Sequence, residues 1–231
     1  MKFKRIGLAA AAIPLGVLIV SGCGVIGRSE TETKTYEVAE KVSAVRLDSG
    51  EGDVEFVETG RGDVKVTEKL SWRGEKPKPE HRVEGGTLVL TYDCPDVQLG
   101  GSCGIDYVVE VPKGLAVDLE TGAGDITLRA LTGTIKANTG AGGLTGENLG
   151  AKKAQVESGA GDVELSFVSA PDDVEVRTGA GAGTVRVPDG SYRVDVGTGV
   201  GEEDVQIKND PKATKRIKIE TGAGEAKVLK L

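Results

Sequence analysis

The stretch AVDLETGAGDITL, residues 116–128, joins two alternating segments through the tetrapeptide Thr121-Gly122-Ala123-Gly124. Apolar Val117 and Leu119 flank Asp118, and Ile126 and Leu128 flank Thr127. A period of two is the pattern of a strand with one buried face, because successive side chains of an extended chain point to opposite sides. The glycines permit positive φ or close backbone approach, which a sharp corner requires.

The same unit recurs along the chain. Thr/Ser-Gly-x-Gly occurs at Ser49, Thr59, Thr121, Thr139, Ser158, Thr178, Thr198 and Thr221, and from Thr121 onward the intervals are 18, 19, 20, 20 and 23 residues. Aligned on this motif, Val117, Ile135, Ala154, Val174, Val194 and Ile217 form one inward ladder, and Leu119, Ala137, Val156, Val176, Val196 and Ile219 form the next. After the motif, Ile126, Val163, Val185, Val205 and Ala226 continue the inward set. A fixed phase at this period predicts an all-β chain folded as a parallel β-helix, or β-solenoid, of about 20 residues per coil. Its repeat corners fall at Gly122 and Gly124, Gly140 and Gly142, Gly159 and Gly161, Gly179 and Gly181, Gly199 and Gly201, and Gly222 and Gly224. One coil cannot bury its own apolar face, so the end coils need caps. A β-sandwich with hairpin turns at Gly-x-Gly is the structural alternative. Helices do not suit windows that are rich in β-branched residues and broken by glycine at this spacing.

Residues 36–112 are a less regular amino-terminal part of the same domain, which spans 36–231 with its regular repeats at 113–231. This part contains two early motif copies and RGEKPKPEHRVEGG, which reads as an exposed loop. TLVLTY, a cysteine loop and the apolar strand IDYVVEVP follow.

The chain opens MKFKR, then IGLAAAAIPLGVLIV, then SGC. A basic start, a short apolar run holding Pro14 and a small-residue cleavage site make a secretory signal over residues 1–22 rather than a permanent span. Val20-Ser21-Gly22-Cys23 resembles the bacterial lipobox. The resemblance implies cleavage between Gly22 and Cys23, diacylglycerol on the Cys23 thiol and acylation of the new amino terminus. Two or three acyl chains, of the palmitate type, make a durable anchor, whereas one binds only marginally. Residues 23–35 then form a lipidated, polar tether that holds the domain on the outer side of the cell membrane.

Without Lys2, Lys4 and Arg5 the exported part carries 26 basic and 36 acidic side chains, a formal charge of −10. That charge repels nucleic acid and anionic head groups. Cys94 and Cys103 flank a turn-rich segment and should pair as a disulfide, because an exported chain meets an oxidising compartment. A redox or metal-binding pair has no support: there is no CxxC, and His81 is the one histidine.

The cysteine pair, the strand ending Val111-Pro112-Lys113-Gly114 and the repeated Thr-Gly-x-Gly-Asp-Val units together resemble the bacterial "putative-adhesin" family of β-helical domains, notably its actinobacterial lipoprotein members. The resemblance covers residues 36–231 and implies a parallel β-helix without naming an activity. The chain departs from the pattern at Gly143, Ala182-Gly183 and Glu202-Glu203, where the aspartate after Gly-x-Gly is lost or displaced.

Asp53, Asp63, Asp125 and Asp162 follow Gly-x-Gly and suggest calcium, but the calcium-binding β-roll repeats every nine residues with a different aspartate spacing. No metal site and no cofactor are therefore expected. A phosphate cradle needs a helix after its glycine-rich loop, and none is predicted. His81 stands alone in a charged loop, so no catalytic residue is assigned. Arg61-Gly62-Asp63 matches the integrin tripeptide but lies within a repeat corner.

Three functions are consistent with this reading. The first is a non-enzymatic envelope lipoprotein that presents an interaction surface to an envelope protein or glycan. The second is a regulatory lipoprotein acting on a membrane sensor, and the third is a carbohydrate-active β-helix enzyme. Replacing Cys23 with Ala is expected to abolish labelling by a fatty-acid analogue and to release the protein from the membrane; equal labelling of wild type and variant would refute the anchor.

Overall fold

The computed structural model describes residues 29–95 and 101–231. Gly22, Cys23 and the signal segment lie outside the described residues. Among the described residues there is no helix; nineteen strands form a ten-stranded and a nine-stranded sheet.

Each regular unit gives one strand to each sheet, one on either side of its corner. These pairs are β8 (Ala116–Ala123) with β9 (Ile126–Arg129), β10 (Ile135–Ala141) with β11 (Leu144–Leu149), and β12 (Lys153–Ala160) with β13 (Val163–Phe167). They continue as β14 (Asp173–Ala180) with β15 (Gly183–Val187), β16 (Arg193–Val200) with β17 (Glu203–Val205), and β18 (Arg216–Ala223) with β19 (Ala226–Lys230). The first members lie side by side and parallel in the nine-stranded sheet, the second members in the ten-stranded sheet. Ile135 is in register with Val117 and Ala154, and Val174 with Ala154 and Ile217. Burial follows the alternation, since Val117, Ile135, Ala154, Val174 and Ile217 are buried whereas Asp118, Lys136, Gln155 and Lys218 are not. The core is the apolar layer between the sheets.

Spatial order departs from chain order at both ends. β2 (Ala44–Glu51) and β3 (Val54–Glu58) form the first strand pair, yet β2 lies between β8 and β6 (Thr87–Asp93), and β3 lies between β9 and β7 (Ser102–Val111). At the other end β18 and β19, the last strands of the chain, insert between β14 and β16 and between β15 and β17. The expected ladder therefore runs Val174, Ile217, Val194, and not in sequence order. The apolar content of the two last pairs accounts for the exchange. Ile217, Ile219, Ala226 and Val228 are all fully buried in the interior position. Val194 and Val196 are smaller and Val205 stands alone in its short strand, so the weaker pair takes the end and Val205 is 42% exposed. The 23-residue interval before Thr221 supplies the chain needed to pass over β16.

The amino-terminal end is closed by antiparallel strands. β4 (Val64–Arg73) pairs with β7, β1 (Glu30–Val38) pairs with β4, and β5 (Lys78–Glu84) pairs with β6. The expected loop RGEKPKPEHRVEGG is thus largely a strand. Its composition hides it: Lys78, Pro79, His81 and Arg82 are edge-strand residues, which proteins use to stop unwanted pairing. Gly85 and Gly86 at φ 57° and 80° close the β5–β6 hairpin in two residues, a geometry that suits strand twist. Cys94 and Cys103 are disulfide-bonded with Cα atoms 6.0 Å apart, tying the end of β6 to the start of β7.

Val176→Asp places an unpaired carboxylate at a fully buried position and should cost about 4 kcal/mol or more, whereas exposed Gln155→Lys should stay within about 0.5 kcal/mol. Equal melting temperatures for the two variants would contradict the inward assignment.

Candidate interaction surface

The corners form one continuous row. A Cβ added to Gly122 would lie 2.6 Å from the Gly50 carbonyl oxygen, and the contact repeats between the first glycines of successive units down the row as far as Gly199 on Gly222. At the second glycine the demand is double. Gly124 has φ +140°, and a Cβ there would lie 2.1 Å from the Gly52 carbonyl oxygen. No other residue satisfies both conditions.

Hydroxyls and carboxylates lock the row. Thr139, Ser158 and Thr178 are buried, and their hydroxyls donate to the carbonyls of Gly124, Gly142 and Gly161 at 3.1, 2.9 and 3.0 Å. Asp53 accepts the Asp125 N–H at 3.0 Å, Asp125 accepts the Gly143 N–H at 2.7 Å, and Asp162 accepts the Ala182 N–H at 2.7 Å. The corner aspartates therefore bind neighbouring backbone. Gly143 and Ala182, which break the sequence pattern, are the backbone donors of two such bonds. Among the described residues no three His, Cys, Asp or Glu side chains are grouped to hold a metal ion.

Two motif copies behave differently from the rest. Gly60 and Gly62 face open space, so the copy at Thr59 is a turn and not part of the stacked row. Arg61 there pairs with Glu37 at 2.7 Å and Asp63 at 3.0 Å, which occupies both charged ends of the Arg-Gly-Asp tripeptide. The copy at Thr198 ends the row: Thr198 is only half-buried, and Val200 is 74% exposed.

The outer face of the nine-stranded sheet is a lattice of charges. Asp118 lies between Arg46 at 3.3 Å and Lys136 at 3.2 Å, and Glu220 between Arg177 at 3.1 Å and Lys218 at 2.8 Å. Such exposed pairs contribute little stability each, but they fix a flat pattern of alternating sign. The depressions on this face are shallow; one runs over Gly159, Gly179 and Gly222, where side chains are missing, beside Glu157, Arg177 and Glu220.

One polar cluster was not assigned from the sequence pattern. Glu68 occupies an inward position of β4, is 2% exposed and accepts the Tyr36 hydroxyl at 2.7 Å. The buried Tyr107 hydroxyl has no hydrogen-bond partner among the described residues. Burial, reinforced by the nearby Glu68 carboxylate, holds both tyrosine protons well above the ordinary range. His81 is not solitary, because its ring stacks on Tyr36 at 4.4 Å between centroids. The signal for Glu68 is present in β4, where Val64, Val66, Leu70 and Trp72 set an inward phase that a glutamate shares.

The sequence pattern described as Toastrack DUF4097 matches residues 42–229. The chain belongs to the Toastrack family. Its matched span runs from just before β2 to the last strand, so it includes both exchanged ends of the sheets. No curated protein sequence matches the Toastrack chain. Solved structures share its fold, among them two described as adhesion proteins. A "putative cell adhesion protein" from Clostridium sporogenes ATCC 15579 is similar at TM-score 0.54 and 15% identity, covering 88% of this chain and all of its own. A "putative adhesin" from Bacteroides fragilis NCTC 9343 is similar at TM-score 0.50 and 16% identity, covering 87% of this chain and 97% of its own.

Gly124→Ala should destabilise by about 2–4 kcal/mol, whereas Gly60→Ala should change stability by less than about 0.5 kcal/mol. Asp125→Ala removes the acceptor of the Gly143 N–H and should cost about 1 kcal/mol. Chemical denaturation of the three variants measures all of these, and equal losses at Gly124 and Gly60 would contradict the stacked row.

Proposed function

We propose that this Toastrack protein is a non-enzymatic cell-envelope lipoprotein, adhesin-like in character, that presents a rigid β-solenoid surface to an envelope protein or glycan. The observation that carries this reading is the use of the repeat chemistry. The hydroxyls of Thr139, Ser158 and Thr178 and the carboxylates of Asp53, Asp125 and Asp162, which could have formed a reactive or metal-binding row, are hydrogen-bonded to backbone instead. The names of the two structural neighbours agree with a role in adhesion.

In this reading the two sheets are opposite walls of a solenoid of about 20 residues per coil, set by the interval between corners. The amino-terminal strands cap it, and the lipid on Cys23 holds it at the outer side of the membrane through the tether of residues 23–35. Such a body suits presentation of a broad lateral face, because a partner meets regularly spaced charges and backbone without having to order a loop.

The purified full chain should bind an envelope glycan or an envelope protein fraction saturably and leave it unchanged. Arrays of both, read for binding and for new reducing ends, test this. New reducing ends would establish an enzyme, and the absence of saturable binding on every array would overturn the interaction reading.

A further inference from the structure

The two ends of the sheets are built differently. At the amino-terminal end the outer strands are β1, lying on antiparallel β4, and β5, which carries Pro79 and a charged composition that opposes further pairing. At the carboxy-terminal end β16 and β17 are the last strands of their sheets, and among the described residues no antiparallel strand covers them. The segment after β17 covers the start of β16: Tyr192 forms a parallel bridge with Asn209, and the Asp210 N–H donates to the Tyr192 carbonyl at 2.8 Å. The Asn209 side chain accepts the Val194 N–H and donates to the Val194 carbonyl, both at 3.1 Å, in the manner of a neighbouring strand. Arg193 donates inward to Lys215, so the outward-facing backbone groups of β16 belong to Val194, Val196 and Thr198, and Asn209 serves only the first.

The side chains at this end agree with an interface. The third residue of the corner motif is Ala at 123, 141, 160, 180 and 223, and becomes Val only at Val200, which is 74% exposed. Val205 is 42% exposed, and Val196 and Thr198 are half-buried where their counterparts in the other units are buried. Charge differs between the two ends of this edge. Glu202, Glu203 and Asp204 stand at the corner end, while Arg193 and Lys208 stand with Asp195 and Asp210 at the opposite end, and Glu202, Glu203, Arg193 and Lys208 make no ion pair among the described residues.

We propose that this open end is a self-association surface at which two copies of the chain meet about a two-fold axis normal to both sheets. β16 then pairs antiparallel with its own copy, centred on Thr198, and Val196 of one chain lies opposite Val200 of the other. The same rotation sets Val205 against Val205. Because the axis reverses strand direction, the acidic corner of each copy meets the opposite end of the other, with Glu202 facing Arg193 and Lys208. A two-fold contact of this kind is self-complementary and closes, so it yields a dimer and not a fibre. Main-chain hydrogen bonds between the copies centre on Thr198, because Asn209 already serves Val194 and the Val200 carbonyl accepts the Gly224 N–H at 2.8 Å. The proposal does not depend on the adhesin-like function or on the lipid anchor.

Sedimentation velocity of the purified full chain in mild detergent, across the micromolar range, tests the arrangement. The wild type should be a dimer, and Val200→Lys with Val205→Lys should be a monomer at unchanged melting temperature, since both positions are exposed. Glu202→Lys alone, and Arg193→Glu with Lys208→Glu alone, should each weaken the dimer about tenfold or more. All three charge changes together should restore it. A wild-type monomer at every concentration, an assembly that grows beyond two, or a dimer indifferent to the valine changes would overturn the proposal. Failure of the combined charge variant to recover, with its fold intact, would overturn the two-fold register.

Discussion

The contact on which this structure depends is that between the α-carbon of a corner glycine and the carbonyl oxygen of the corner beneath it. A side chain at Gly122 or Gly124 would place its Cβ 2.6 or 2.1 Å from the carbonyl oxygen beneath, so the corners would have to move apart and strain the strand pairing on both sides. The tight corner brings the Thr and Ser hydroxyls within reach of the glycine carbonyls below them. It also lets one aspartate oxygen accept an N–H from the adjacent unit. Register in turn places every inward Val, Ile and Leu against its counterpart, because an odd-residue slip in a strand would turn its apolar face to solvent.

A fold propagated in this way must end somewhere, and the two ends resolve that need by different means. At the amino-terminal end the antiparallel strands cover the layer, and a disulfide between Cys94 and Cys103 ties the corner where glycine stacking gives way. That end also holds the buried Glu68 with Tyr36 and Tyr107, a polar group in an otherwise apolar layer. At the carboxy-terminal end the chain carries its last and more apolar strand pair inward and leaves a weaker pair outside. The result is a molecule with one sealed end and one open end, linked by a flat charged face.

The exchange of strand pairs also bears on folding. The Asn209 contact with Val194 and the insertion of β18 both require the segment after β17 to pass across the end of the sheet. The final corner can form only when the last residues of the chain are present, since Gly199 rests on Gly222 and Gly201 on Gly224. The matching insertion of β2 pairs Ala44 with Ala116 of β8 and with Thr87 of β6, both far away along the chain. Contacts of such long range are a slow feature of folding, because the loops that close them carry a large entropic cost.

The sequence by itself determined the elements that depend on local chemistry. The period of two, the Gly-x-Gly corners and the phase of Val117, Leu119 and their counterparts report strands, bends and an inward face, because each is set by the residues in one short window. Strand β5 was concealed because its edge position calls for charge and proline rather than alternation. β11 was concealed because Gly143 replaces the aspartate that marks the other units, and the hydrogen bond that Gly143 makes instead belongs to its neighbour. The order of the strand pairs, the open end and the partnership of Glu68 with Tyr36 were decided by tertiary structure alone. Units with nearly identical patterns can stack in any order as far as local preference is concerned, and only competition among them for the fully buried positions separates Ile217 and Ile219 from Val194 and Val196.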